Sequence, residues 1–178
     1  DLIPLILGVI ATVASWAYIE MLENGFANLC ISEQRINDMN VFPVPDGDTG
    51  TNLRRTLKSG LDYADEIENL SLYVKRVAEG MLLGARGNSG VIVSQIFRGI
   101  AFSLSDCSVM HTDDFIKALI SGYKAAYSAL ANPVEGTVLT VAREGTEIFV
   151  RYSAGVEGFG KLFEMYLGAM YKSLEHTP

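Results

Sequence analysis

Apolar residues return every three to four positions along most of this chain, the spacing that lines one face of a helix, so the pattern predicts a helical protein. Tyr18, Met21, Leu22, Gly25, Phe26 and Leu29 form one stripe, with Glu20, Glu23, Asn24 and Asn28 between them. Leu53, Leu57, Leu61 and Ala64 form a second, with Arg54, Arg55 and Lys58 off it. Ser71 to Leu83 supplies a third helix, with Leu72, Val74, Val77, Ala78, Met81 and Leu82 as core candidates, and Val91 to Phe97 reads as a buried one. Asp113 and Asp114 can cap a helix whose stripe is Phe115, Ala118, Leu119, Gly122, Ala126 and Leu130, and Asn132-Pro133 stops it. The segment Val134 to Arg143 has β-branched residues that would suit a strand, yet Thr137, Thr140 and Val141 fit a helix after a glycine turn, which is the expectation. Phe159 to Leu174 closes the chain with Leu162, Phe163, Tyr166, Leu167, Met170 and Leu174 in register. Ser103 to Thr112 reads as a polar connector.

One run does not follow the amphipathic rule. Leu2 to Ile19 carries no charge and is about long enough to cross a bilayer. Pro4 and Gly8 interrupt it and no Lys or Arg flanks it, so a buried or partner-packed helix is the preferred expectation, with membrane association left open. We therefore treat residues 1–17 as an apolar segment and 18–178 as one domain.

Composition agrees with a packed fold: 178 residues, 49% hydrophobic and 20% charged, suffice for one full core. The net charge of −7 and the scattered Lys and Arg argue against nucleic-acid binding. Cys30 and Cys107 lack metal-ligand spacing, and with only His111 and His176 beside them a zinc site is not expected; free thiols in a cytoplasmic setting are. His111, in the connector, reads as a surface residue.

The candidate chemistry sits in Asn40-Val-Phe-Pro-Val-Pro-Asp-Gly-Asp-Thr-Gly-Thr-Asn52. Pro43 and Pro45 hold the segment extended, and Gly47 and Gly50 let it turn. Asp46 and Asp48 can then converge, and two like charges brought together call for a hard cation. An isolated Asp-Gly-Asp is equally a solvated turn, but Thr49, Thr51 and Asn52 add side chains that bind phosphate oxygens or cap a helix. That helix start, with its unpaired amides, favours an anion. A second Gly-rich stretch, Gly84-Ala-Arg-Gly-Asn-Ser-Gly90, is neither a Walker A loop nor GxGxxG. It is a structural turn or a phosphate cradle, with Arg86, Asn88 and Ser89 as donors.

These two stretches, together with Pro133-Val-Glu-Gly-Thr-Val-Leu-Thr-Val-Ala-Arg-Glu144, resemble the N-terminal nucleotide-binding domain, of DAK2 type, of bacterial fatty acid kinase. That domain is similar to the ATP-binding subunit of dihydroxyacetone kinase. The resemblance runs from about Tyr18 to Pro178 and implies an all-α barrel of about eight antiparallel helices, with ATP or ADP and two Mg²⁺ at one end. It implies Asp46 and Asp48 as the catalytic metal carboxylates and Thr49, Gly50, Thr51 and Asn52 as the nucleotide-side turn. Gly84, Ala85, Arg86, Gly87, Asn88, Ser89 and Gly90 would cradle phosphates, and Gly136, Thr137 and Leu139 would lie near the base or ribose. The related kinases carry a further metal-binding Asp at the position of Val41; Asn40 is the expected substitute and Asp38 the alternative.

The implied reaction is phosphoryl transfer from ATP to a fatty acid carboxylate presented by a separate fatty-acid-binding carrier protein. A kinase of this kind needs no His base, since a carboxylate is already ionised at neutral pH. Family members continue into further domains, so the chain resembles an excised kinase domain, slow or inactive alone, with regions beyond it available for a homodimer. The competing readings are a dihydroxyacetone kinase subunit and a non-catalytic nucleotide-binding adaptor.

Overall fold

A computed structural model describes residues 12–42 and 44–177. The expectations for Leu2 to Ala11 and for Pro43 lie outside the described residues. Seven helices account for most of the rest: α1 Ser15–Asp38, α2 Thr49–Tyr63, α3 Leu70–Gly84, α4 Gly87–Ser103, α5 Thr112–Ala129, α6 Val138–Tyr152 and α7 Phe159–Leu174. Each packs chiefly on the next in sequence, with α2 also resting on α4. The protein is thus all-α as expected, a helical bundle with seven of the roughly eight helices of the expected barrel among the described residues.

Two short strands correct the sequence reading. Thr12–Ala14 (β1) pairs antiparallel with Val109–His111 (β2), Val13 facing Met110, where a helix and a polar connector were expected. The physical reason is local: Val13 and Met110 are both buried, and an extended pairing lets each drop its side chain into the core while satisfying its backbone. His111 then opens α5, its amide donating to Asp114 at 3.0 Å.

The core has an aromatic centre. Phe115 of α5 meets Phe163 and Tyr166 of α7 and Phe149 of α6 edge-on, at centroid distances of 4.9, 6.1 and 6.0 Å, so one ring ties three helices. Leu70, Val77 and Met81 of α3 and Leu104 after α4 are fully buried, and Tyr18 of α1 packs edge-on against Tyr73 of α3 at 6.4 Å. Burial pushes the Tyr73 phenol up to about 12 and the Tyr18 phenol higher still. A smaller cluster of Ile92, Ala126 and Leu139 ties α4, α5 and α6.

Backbones approach closely where α2 crosses α3. A Cβ on Gly80 would stand 2.5 Å from the Tyr63 Cβ and 2.6 Å from the Ser59 carbonyl oxygen, and one on Gly60 would stand 2.5 Å from the Met81 Cγ. Gly25, midway along α1, has no such neighbour within 4 Å. Gly80→Ala should therefore lower unfolding free energy by roughly 1–3 kcal/mol through overpacking, whereas Gly25→Ala should raise it by roughly 0.5–1 kcal/mol through helix propensity. Urea unfolding of the two variants checks this, and equal shifts of the same sign would contradict it.

Candidate functional site

Three stretches of sequence meet at one end of the bundle. The α1–α2 loop, the start of α4 and the α5–α6 loop enclose a cleft of about 280 Å³. Asn40, Asp46, Asp48, Thr49 and Asn52 line it from the first, Asn88 and Ser89 from the second, and Leu130, Asn132, Val134 and Thr137 from the third. Sequence reasoning missed its apolar half, formed by Phe42, Val44, Val91, Ile92, Val134 and Val138. The only available signal was that Phe42 and Val44 are large apolar residues in a proline-rich segment with no helical stripe to bury them.

The first loop is organised by Asn40. Its side-chain oxygen accepts from the amides of Asp48 at 3.3 Å and Thr49 at 3.1 Å and from the Thr49 hydroxyl at 2.7 Å, while its amide group donates to the Val44 carbonyl at 2.9 Å. Asn37 adds a second clasp, accepting from the Thr51 amide at 3.2 Å and donating to the Thr51 hydroxyl at 3.0 Å. Three of the four amides that a helix start leaves unpaired are thus satisfied at α2. The anion site expected there competes with those bonds, and so does the metal-ligand role expected of Asn40.

What the clasp leaves free is the pair of carboxylates. Asp48 occupies the N-cap position of α2, yet its side chain makes no capping bond. Neither Asp46 nor Asp48 has an ion-pair or side-chain hydrogen-bond partner among the described residues. Asp38 instead accepts from Gln34 on its own helix at 2.8 Å, and no group of three or more His, Cys, Asp or Glu among the described residues could hold a metal. Among the described residues, no Lys, Arg or His accompanies the carboxylates in the lining of the cleft.

The second stretch is shorter as a loop than its glycines suggested. Helix α3 runs to Gly84 and α4 begins at Gly87, leaving only Ala85 and Arg86 between them. The glycines are needed for proximity to α2: Gly84 lies against Ser59, Gly87 against Asn52 and Gly90 against Thr56, and Gly87 also takes a φ of +59°. The Arg86 amide donates to the Thr56 hydroxyl at 3.2 Å and its guanidinium turns back on the Ala85 carbonyl at 3.0 Å, so Arg86 does not line the cleft. No side chain caps α4, and its first turn carries Asn88 and Ser89 at the cleft. Asn52, only 8% exposed, joins the two loops.

In the third stretch Thr137 caps α6, accepting from the Leu139 amide at 3.3 Å and donating to the Val134 carbonyl at 2.9 Å. Gly136 turns the chain at φ +78° and its amide donates to the Thr140 hydroxyl at 2.8 Å. Leu139 is wholly buried, packed beneath the cleft and not lining it. Of the expected residues, Gly50, Thr51, Gly84, Ala85, Gly87, Gly90 and Gly136 likewise shape the loops without lining the cleft. Glu135 lies below its ordinary range because the Thr140 hydroxyl, the Tyr127 phenol and the Arg143 guanidinium all bond it, and the Thr51 hydroxyl with Arg54 does the same to Glu33.

A family model described as "DAK2 domain" matches residues 43–178. Among curated proteins, an uncharacterized protein of Staphylococcus saprophyticus is 39% identical over 165 residues, covering 90% of this chain and 30% of the relative. Uncharacterized proteins of Staphylococcus aureus and Staphylococcus epidermidis are 37% and 36% identical over 163 residues, with the same coverage. The chain spans about 30% of the length of these relatives. No helix among the described residues is long and apolar enough to cross a membrane.

If Asn40 acts as the cap of α2, its loss is felt without any ligand. In metal-free protein, Asn40→Ala should cost about 1–2 kcal/mol, the range for losing a cap, and Asp38→Ala should stay within about 0.5 kcal/mol as a surface change. Denaturant unfolding in chelator measures both; an unaffected Asn40→Ala would remove the capping role.

Proposed function

This chain belongs to the DAK2-domain family, which is kinase-related, and on that basis we propose that it is an ATP- and Mg²⁺-dependent phosphotransferase domain whose acceptor is a carboxylate, that of a fatty acid. The observation that carries the reading is the charge of the cleft: among the described residues, two unpartnered carboxylates and no cationic side chain in its lining. Such a surface repels bare phosphates and accepts them once divalent ions stand between. The donor set suits Mg²⁺, which is typically held by one or two carboxylates and the substrate's own phosphates and retains water on its remaining positions. Asp46 and Asp48 would hold it, so neither Asn40 nor Asp38 is required as a third protein ligand. Bound there, Mg²⁺ supplies charge neutralisation as the γ-phosphoryl group moves.

The chain's own residues divide the remaining work. The uncapped first turn of α4, with Asn88 and Ser89, presents donors to phosphate oxygens. Phe42, Val91, Ile92 and Val138 offer an apolar wall to a base. Asn40 fixes the backbone at Asp48, and Asn37 holds the Thr51 amide that the Asp48 side chain would otherwise cap, which leaves that carboxylate at the cleft. In the transfer, a carboxylate oxygen of the acceptor bonds to the γ-phosphorus while the bond to the β-phosphate oxygen breaks, yielding an acyl phosphate and ADP. A hydroxyl acceptor such as dihydroxyacetone would have to shed a proton, and among the described residues the only titratable side chains lining the cleft are the two carboxylates assigned to the metal. That favours the carboxylate acceptor.

Mg²⁺ with ADP at about a hundred times its Kd should stabilise the protein by about 2.7 kcal/mol, or roughly 5–10 °C in Tm for a domain of this size. Chelator, Asp46→Asn or Asp48→Asn should each abolish the shift, and a full shift in both variants would refute the assignment. A phosphoryl-transfer assay with a fatty-acid-loaded carrier, against dihydroxyacetone, decides the acceptor.

A further inference from the structure

One side of the cleft, from Leu130 to Thr137, is a loop between α5 and α6, and its fixed shape has to come from contacts made behind it. Those contacts converge on Arg143, which does not line the cleft. Its Nε donates to the Tyr127 phenolic oxygen at 2.9 Å, and one terminal nitrogen donates to Glu135 at 3.1 Å and to Glu144 at 3.2 Å. Its other terminal nitrogen lies 3.6 Å from Glu147. Glu135, the loop's own carboxylate, also accepts from the Tyr127 hydroxyl at 2.8 Å and from the Thr140 hydroxyl. Thr140 in turn receives the Gly136 amide, so the backbone between Val134 and Thr137 is held through a closed set of bonds. The far end is anchored too: Glu144 accepts from the buried Ser173 of α7 at 2.9 Å.

A single exposed ion pair would be worth little, but here one partly buried fork meets four partners at once, with Glu135 held in its charged form. Only a planar guanidinium reaches a phenol and three carboxylates from one position; an ammonium cannot reproduce the fork. We propose that Arg143 is a positioning residue for nucleotide binding: it fixes the Val134–Thr137 wall and thereby sets affinity without touching the ligand. The proposal rests on the nucleotide reading above.

Two readouts test it, on the whole chain. In ADP-free protein, Arg143→Met should raise amide exchange across Val134–Val138 while leaving the Leu70–Gly84 helix at the wild-type rate. With Mg²⁺ saturating, the Kd for ADP by calorimetry should weaken roughly tenfold, within the range by which mutations away from a ligand modulate its site. Arg143→Lys should fall between wild type and Arg143→Met in both, and carries the comparison if the methionine variant does not fold. An unchanged Kd, or exchange raised evenly over all helices, overturns the proposal. Wild-type protein that binds no ADP instead refutes the proposed function, and the exchange measurement alone then decides whether Arg143 holds the wall.

Discussion

The structure of the cleft depends on two carboxamides, those of Asn37 and Asn40. A helix start must satisfy its unpaired amides, and the residue best placed to do so at α2 is Asp48 itself. Were Asp48 to cap its own helix, its carboxylate would be spent on the backbone. Asn37 takes the Thr51 amide that an Asp48 cap would bind, and Asn40, eight residues upstream of Asp48, takes the amides of Asp48 and Thr49 and ties down the carbonyl of Val44 and so the shape of the loop. The negative charge left over lines the cleft. Asn40 lies before the first residue of the family match, as does α1, which adds Asn37 and the Glu33–Arg54 ion pair at 2.7 Å; the bundle does not treat that boundary as an edge.

The two helix starts that meet at the cleft have opposite chemistry. At α2 three of the four amides are taken and carboxylates line the cleft; at α4 no side chain caps the turn. Acceptors and donors therefore line one cleft, with α4 held against α2 by the contacts of Gly84, Gly87 and Gly90. Side chains at those glycines would push the donor end away from the acceptor end.

Much of this was legible in the sequence, and what was not has physical causes. The helices from Leu53 onward appear where the stripes put them because their apolar faces are continuous and their neighbours in sequence are their neighbours in space. The strand pair escaped because three residues leave no period to detect and Val13 meets Met110 across nearly a hundred positions. Asp46, Asp48, Asn88 and Ser89 were identified as site candidates, and they do share one cleft. Arg86 and Leu139 look like site residues in a motif but turn to a neighbouring carbonyl and to the core; a motif records which residues are needed, not which surface each one faces. Asn40 was singled out for its position, while its bonding role depends on a fold-back no spacing rule encodes. The Tyr127–Glu135–Arg143 set was invisible, since its members become neighbours only when the α5–α6 loop closes.

The cation-free lining has one more consequence, on the proposed reading. Many nucleotide sites carry their attraction for phosphate in lysines and arginines, which are always charged and always present. Here that attraction would be supplied by a diffusible ion. The affinity of the domain would then follow the free divalent concentration of its surroundings with no change in the polypeptide, and metal starvation would empty the cleft even where nucleotide is abundant.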